Sequence, residues 1–280
     1  MQASNSKDAV EIKMSEHHKG TALITGASTG IGAVYADRLA KRGYDLILVA
    51  RDQQRLDALA DRLRKDVGVK VEVLRADLTV RADVQAVEQR LKDDASVTLL
   101  VNNAGIGGQG GFAAADLDKQ QQLIDLNITA VTRLAGAAIP GLLKRGGAII
   151  NLGSVLAYVP EMMPGIYSAT KAYVVNFSKS LQTELGDKGL YVQAVLPAAT
   201  ATEIWERSGG SIDNLAKGTV MAVDDLVDAA LVGFDRRELA TFPSLPDEGQ
   251  WTAFEGARFA MAQNFGNDKP AERYRETGAA

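Results

Sequence analysis

The sequence predicts a doubly wound α/β fold: a parallel sheet of about seven strands with helices on both faces. Three observations predict it. Short apolar runs rich in Val, Ile and Leu recur at 46–50, 97–101, 148–152 and 191–196, the pattern of strands buried on both faces. Segments with apolar residues at i, i+3 and i+4 separate them, such as Leu56-Leu59-Leu63 and Val84-Val87-Leu91, and that spacing makes one apolar helical face. A glycine-rich run, Thr25-Gly26-Ala27-Ser28-Thr29-Gly30-Ile31-Gly32, joins the first strand to the first helix. Strands alternating with helices imply crossover connections and a ligand site at the carboxyl ends of the strands.

The first nineteen residues lack the apolar core of a signal peptide and read as a flexible N-terminal extension. The first strand is 21–25. At its end the glycines have separate tasks: one permits a sharp turn, one leaves the backbone open to a pyrophosphate, and one lets the helix approach the sheet. The helix start then offers free N–H groups and a positive dipole end to phosphates. Gly26, Ser28, Thr29, Gly30, Ile31 and Gly32 are therefore candidate cofactor-binding residues, although such turns also occur without a ligand. The second strand, 46–50, is followed by Asp52, a candidate helix N-cap. Ala50 stands where an acidic residue usually binds the ribose 2′-hydroxyl of NAD, and Arg51 follows it. A carboxylate would repel a 2′-phosphate, whereas a guanidinium pairs with it through two charge-assisted hydrogen bonds. Arg51 thus points to NADP; its alternative is an exposed ion pair with Asp52 or Asp57.

The third strand is 69–74, and Asp77 beyond it is a candidate acceptor for an adenine amino group, a helix cap, or both, with Thr79 a further cap candidate. The fourth strand is 97–101, the fifth 148–152 and the sixth 191–196. Helices near 119–144 and 167–185 carry more apolar surface than one sheet face covers, which predicts a homodimer or homotetramer built through them. Residues 203–220 mix Trp205, charges and Gly209-Gly210 and read as a mobile cover over the substrate site. Residues 241–280 hold Pro243, Pro246, Trp251, Phe254 and Phe259, enough aromatic surface to dock, with a polar end that frays; the single domain is taken as 20–280.

Composition narrows the chemistry. The 280 residues are 46% hydrophobic and 24% charged, with a net charge of -4. This suits a globular protein and gives no sign of a nucleic-acid partner or an anionic membrane. No uninterrupted apolar run approaches the roughly 20 residues of a bilayer span. There are no cysteines, which removes thiol nucleophiles and zinc–cysteine sites and fits a cytoplasmic protein. The two histidines, His17 and His18, lie together in the polar extension, so neither a histidine base nor a metal is expected.

Tyr167 and Lys171 lie one helical turn apart on one face. A phenol, with a reference pKa of about 10, is a poor acid–base at neutral pH, and a nearby ammonium favours its phenolate. Ser154 follows the fifth strand, where its hydroxyl either holds a substrate carbonyl beside the phenol or caps a helix.

These motifs, with others in the same order, resemble the short-chain dehydrogenase/reductase family over about residues 20–205: Thr25-Gly26-x3-Gly30-x-Gly32, Asp77-Leu78, Asn102-Asn103-Ala104-Gly105, Asn127, Ser154, Tyr167-x3-Lys171, and Pro197 with Thr202. The resemblance implies a Rossmann-like domain and an NADP(H)-dependent oxidoreductase acting on a carbonyl or secondary alcohol. Tyr167 would be its general acid in reduction. Lys171 would hold the nicotinamide ribose and depress the phenol pKa. Ser154 would orient the carbonyl. Asn127 would bend its helix and seat a water linking Lys171 to a proton relay. Asn103, Ala104 and Gly105 would back the adenosine side, with Asp77 and Leu78 beside it, and Thr202 would bind the carboxamide. Two departures stand out: Ala198 follows Pro197 where glycine is usual, and Thr29 stands where some NADP members carry a basic residue. Val155-Leu156-Ala157-Tyr158, Met162-Met163 and Trp205 predict either an apolar pocket for a hydrophobic ketone or aldehyde, or packing against the core. The alternatives are an NADP(H)-binding sensor or scaffold without turnover, and an epimerase or dehydratase on the same cofactor site.

Overall fold

A computed structural model describes residues 18–108, 112–163 and 165–275. Seven strands form one parallel sheet in the order β3-β2-β1-β4-β5-β6-β7. They are β1 (Thr21–Thr25), β2 (Asp45–Ala50), β3 (Val71–Arg75), β4 (Val97–Asn102), β5 (Ala148–Leu152), β6 (Tyr191–Val195) and β7 (Ala240–Thr241). The third strand begins two residues later than its hydropathy predicts. Pairing with β2 starts at Leu46↔Val71, because the Asp45 side chain takes the Lys70 N–H at 2.9 Å. With only two residues, β7 is too short to show a periodic pattern. The order reverses direction between β1 and β4, so a crevice opens at their carboxyl ends.

The helices are α1 (Gly30–Lys41), α2 (Gln53–Val67), α3 (Arg81–Asp93), α4 (Leu117–Ile124), α5 (Val131–Arg145), α6 (Ile166–Leu185), α7 (Ile204–Arg207), α8 (Val223–Asp235) and α9 (Glu248–Ala262). Strand residues alternate between two cores, as the period of a strand requires. Ala22, Ile24, Leu46, Leu48, Leu99 and Val101 join the cluster under α1, α2 and α8. Leu23, Ile47, Val49, Leu100 and Ile149 join the cluster under α3, α5 and α6.

Local signals decide the helix ends. Asp52 caps α2 as expected, accepting from the Arg55 N–H at 3.0 Å, and Gly68 ends it at φ 81°. Thr79 does not cap α3. Val80 holds the cap position, and Thr79 is drawn back to Asp77, donating its N–H and hydroxyl at 3.0 and 2.7 Å. The helix predicted over 119–144 runs from Leu117 to Arg145, and a π-helical turn, Asp125–Ala130, divides it into α4 and α5. By length and composition this stretch is apolar enough to cross a membrane. Its apolar side, however, with Leu134, Ala135, Ala138 and Leu142, is buried in the protein core.

The chain divides into two compact units, the first ending at Pro243 and the second beginning at Ser244, where the sequence reading carries one unit to residue 280. The second unit centres on α9, in which Trp251 and Phe254 stack at 5.5 Å. Most of the predicted extension 1–19, including His17, lies outside the described residues, as do 276–280. The end of that extension is tied down: His18 Nε2 lies 3.0 Å from Asp45 Oδ2, and Lys19 donates its N–H to the Gly43 carbonyl.

Candidate active site

The glycine turn is built from inside the protein. Gly26 and Gly30 lie in the left-handed region, at φ 67° and 54°, which a side chain would strain. A Cβ on Gly32 would meet Asn103 Nδ2 at 2.5 Å and the Gly26 carbonyl oxygen closer still. A Cβ on Gly26 would meet the same Nδ2 at 2.8 Å. These two glycines therefore serve the turn and the packing of strand against helix. Gly30 keeps an open side, its nearest neighbour being Thr202 Cγ2 at 3.3 Å from a Cβ position. Ser28, Thr29 and Ile31 line the same turn, partly exposed. Thr29 holds the cap position of α1 without a side-chain cap bond.

One knot joins this turn to the end of β4. Thr25 Oγ1 accepts the N–H groups of Asn103 and Ala104, each at 3.0 Å. Asn103 Nδ2 donates to the carbonyls of Thr25 and Gly26 at 2.9 and 3.3 Å. The chain then passes through Gly105, where a Cβ would stand 3.2 Å from Asn127 Oδ1 and 3.6 Å from Lys171 Nζ. Asn127 sits in the π turn. Its Oδ1 accepts the Ile106 N–H at 3.0 Å, and its Nδ2 donates to the Ile106 carbonyl and to Thr170 Oγ1 at 3.0 and 3.2 Å.

Lys171 is buried, and its Nζ donates to the Leu152 carbonyl at 2.8 Å. The same Nζ lies 5.6 Å from the centre of the Tyr167 ring. Ser154 is buried after β5. Its Oγ accepts the Leu156 N–H at 3.2 Å and donates to the Pro197 carbonyl at 3.3 Å. Burial pushes the Tyr167 phenol up to about 12, with a hydrogen bond from Ser154 pulling it partly back. Burial also pushes Lys171 down to about 8. In the protein alone enclosure disfavours both charged forms, a push opposite to the acidification of the phenol expected from the neighbouring ammonium.

The adenosine side differs in detail from the sequence reading. Arg51 pairs with neither Asp52 nor Asp57; its Nη1 lies 3.7 Å from Asp77 Oδ2, and it stays exposed. The Asp77 carboxyl is held below the usual carboxylate range; burial opposes that shift, and the Thr79 hydrogen bonds and the Arg51 charge produce it. The Leu78 side chain is buried in the core beneath the sheet, so only its backbone remains to meet a ligand. Ala198 lies outside the left-handed region, so the turn after β6 does not require glycine there. Val155, Ala157 and Tyr158 pack on one side against the Val175, Ala194 and Leu196 cluster and are partly exposed on the other. Leu156, Met163 and Trp205 stay partly exposed and Met162 is exposed. The 203–220 segment begins with α7, and Trp205 Nε1 donates to the Thr200 carbonyl at 2.9 Å. Ser208 lies against Gly107 of the loop after β4.

Asn127, Ser154, Tyr167 and Lys171 are thus brought together beside Asn103–Gly105 and the glycine turn. Sequence reasoning missed the Leu152 carbonyl, which any residue would supply, and the contacts of Ile106 and Gly107, which the loop path alone decides.

The sequence pattern described as short chain dehydrogenase matches residues 20–211. Among solved structures, a short-chain dehydrogenase from Sphingobium yanoikuyae in complex with NADPH is 54% identical, with a TM-score of 0.89 over 91% of this chain and 100% of that one. A bulky-bulky ketone specific alcohol dehydrogenase from Comamonas testosteroni is 47% identical, with a TM-score of 0.84 over 91% of this chain and 98% of that one. A very-long-chain 3-oxoacyl-CoA reductase from Anas platyrhynchos is 36% identical over 197 residues, 69% of this chain; the match spans 63% of that relative's own length.

Replacing Gly32 with alanine forces a methyl group into the Asn103 amide and the Gly26 carbonyl. Overpacking of this kind costs about 1–3 kcal/mol or more. Gly32→Ala is expected to unfold at lower denaturant concentration than the parent, and an unchanged midpoint would show that the turn can relax around the methyl.

Proposed function

The chain belongs to the short chain dehydrogenase family, and from that premise we propose that it moves hydride between NADP(H) and a carbonyl or secondary alcohol, reducing hydrophobic ketones or aldehydes. The observation that carries this reading is the convergence of Ser154, Tyr167 and Lys171 at the carboxyl edge of the sheet, beside a glycine turn whose Gly30 keeps an open face. Solved neighbours support the cofactor and the substrate class: the Sphingobium structure holds NADPH, and the Comamonas enzyme is specific for ketones bulky on both sides.

The residues present fit the dinucleotide. Gly30 leaves the backbone open to a pyrophosphate. Arg51 offers an exposed guanidinium with no carboxylate at position 50, and its 3.7 Å approach to Asp77 is loose enough to exchange for a 2′-phosphate. Gly105 and Lys171 border the end of the site nearest the phenol, and Thr202 stands across from Gly30 to meet the carboxamide. NADPH supplies the hydride when bound. Tyr167 supplies the proton: enclosure keeps its phenol protonated across neutral pH, the form a general acid needs. The Ser154 hydroxyl turns from Pro197 to the substrate oxygen and stabilises charge as it develops there. Lys171, charged below about 8, holds ribose hydroxyls and stabilises the phenolate left after proton transfer. Asn127 fixes the loop beside Lys171 through Ile106. Leu156, Met162, Met163 and Trp205 frame an apolar pocket for the groups flanking the carbonyl, under a cover formed by 203–220. A cysteine-free chain has no disulfide to lose in a reducing compartment, which suits a cytoplasmic enzyme.

Oxidation of NADPH by a panel of ketones bulky on both sides, alongside NADPH binding by fluorescence, tests this reading. Tyr167→Phe is expected to lower kcat about 10²–10⁴-fold while NADPH still binds. Cofactor binding by the parent with no turnover on any carbonyl would favour the sensor instead.

The pH profile follows from the buried pair. Reduction needs a protonated phenol and a charged Lys171, so kcat/KM is expected to hold through neutral pH and to fall as pH rises through about 8. Alcohol oxidation needs the phenolate and is expected to climb with pH instead. Profiles of the same sign in both directions would contradict these assignments.

Two copies are proposed to pair through the outer faces of α5 and α6, where Tyr173 and Phe177 stack at 5.7 Å and stay partly exposed. Sedimentation equilibrium is expected to give a dimer or tetramer. A monomer at micromolar concentration would remove that interface.

A further inference from the structure

An ion pair joins Arg55 to Glu203, the residue after Thr202, which faces Gly30. Arg55 lies in the first turn of α2, at the carboxyl end of β2 where Arg51 also stands. Its Nη1 donates to both oxygens of Glu203, at 2.9 and 3.0 Å. Glu203 directly follows Thr202, the residue nearest the open side of Gly30. The Arg55 guanidinium therefore ties the end of the second strand to the segment that faces the glycine turn through Thr202.

Both partners are accessible, with 47% and 42% of their side chains exposed. An exposed pair of this kind contributes little net stability and exchanges readily. Glu203 also has a second cation to turn to, since Arg207 Nη2 donates to its Oε2 at 2.5 Å. Losing Arg55 would leave that carboxylate paired. Arg51 has a similar arrangement with Asp77. Arg55 also lies 3.4 Å, through Nε, from Asp52 Oδ2 at the cap of its own helix. Two guanidiniums at one strand end thus rest on carboxylates across the chain, Asp77 and Glu203, that a phosphate can replace, and a phosphate monoester brings nearly two negative charges and three acceptor oxygens.

We propose that Arg55 is a second specificity-determining residue for the 2′-phosphate of NADP(H), and that Glu203 is its competing counter-ion in the unliganded protein. This rests on the NADP(H) reading above and adds two residues to it. Arg55 leaves Glu203 for the phosphate, and Glu203 turns to Arg207. Glu203 therefore lowers affinity for the phosphorylated cofactor and has no such effect on NADH, which carries no group to claim Arg55.

The test is direct titration of the full-length protein with NADPH and NADH by nicotinamide fluorescence, with adenosine 2′,5′-bisphosphate as a competitor that lacks the nicotinamide. Arg55→Ala is expected to raise the Kd for NADPH about tenfold or more and leave the Kd for NADH within about twofold. Glu203→Gln is expected to lower the Kd for NADPH and for the bisphosphate several-fold without changing that for NADH. The double variant should show no gain over Arg55→Ala alone. Equal weakening of both cofactors by Arg55→Ala, no change in either, or weaker NADPH binding by Glu203→Gln would overturn the proposal. If Arg55→Ala fails to fold, as judged by thermal melting, Glu203→Gln and Arg55→Gln decide the question. If Arg51→Ala loses NADPH preference while Arg55→Ala keeps it, only the role of Arg55 and Glu203 falls. A parent protein that does not prefer NADPH to NADH overturns the cofactor reading itself.

Discussion

The site depends on the side chain of Asn103. Its amide reaches back to the Thr25 and Gly26 carbonyls, while Thr25 Oγ1 takes the next two backbone N–H groups of β4's end. These bonds fix the glycine turn against the following loop. That loop then carries Gly105 to Asn127 and Lys171. The phosphate-facing half and the acid–base half are therefore one connected structure. The glycines at 26 and 32 are required by this knot, because a side chain at either would collide with the Asn103 amide before any ligand arrived.

Burial sets the chemistry that the knot positions. Lys171 is a charge-bearing group in the interior, and such a group is tolerated only with a good polar partner. The Leu152 carbonyl at 2.8 Å is that partner. Even so, desolvation pulls the amine down to about 8 and lifts the phenol to about 12. An enclosed phenol that stays neutral is a proton donor in waiting, suited to the reducing direction. The reverse direction needs positive charge near the phenol, and Lys171, 5.6 Å from the ring centre, brings it.

The two ends of the site meet different constraints. The proposed catalytic end is deep, and its side chains are held by backbone groups of β5 and the neighbouring loops. The proposed adenosine end is open, and its guanidiniums rest on partly exposed carboxylates, Arg51 on Asp77 and Arg55 on Glu203. Buried contacts fix geometry, whereas exposed ion pairs can be exchanged. A ligand whose reacting end must be placed accurately and whose charged end must enter and leave is served by that division.

Much of this was legible in the sequence because the signals are local. Continuous apolar runs gave six of the seven strands, the i, i+3, i+4 spacing gave the helices around them, and the glycine spacing with Tyr167 and Lys171 gave the family. Asp52 could be read as a cap because a cap acts within three residues. What the sequence could not contain is contact between distant segments. It read Arg51 as a partner for a 2′-phosphate, with Asp52 or Asp57 as the alternative, and the fold set it beside Asp77 across a strand end. It offered Thr79 as a cap, but Asp77 claimed it. It tied the pKa of Tyr167 to the lysine one turn away, whereas enclosure by the folded chain pushes it upward. It put Val155, Ala157 and Tyr158 in a pocket or the core with nearly equal reason, and the fold packs one side of that loop against β6 while leaving the other partly exposed. Residue type and short spacing thus determined which groups are present and in what order along the chain; burial and long-range pairing, which depend on the folded path, decided their partners and their charge.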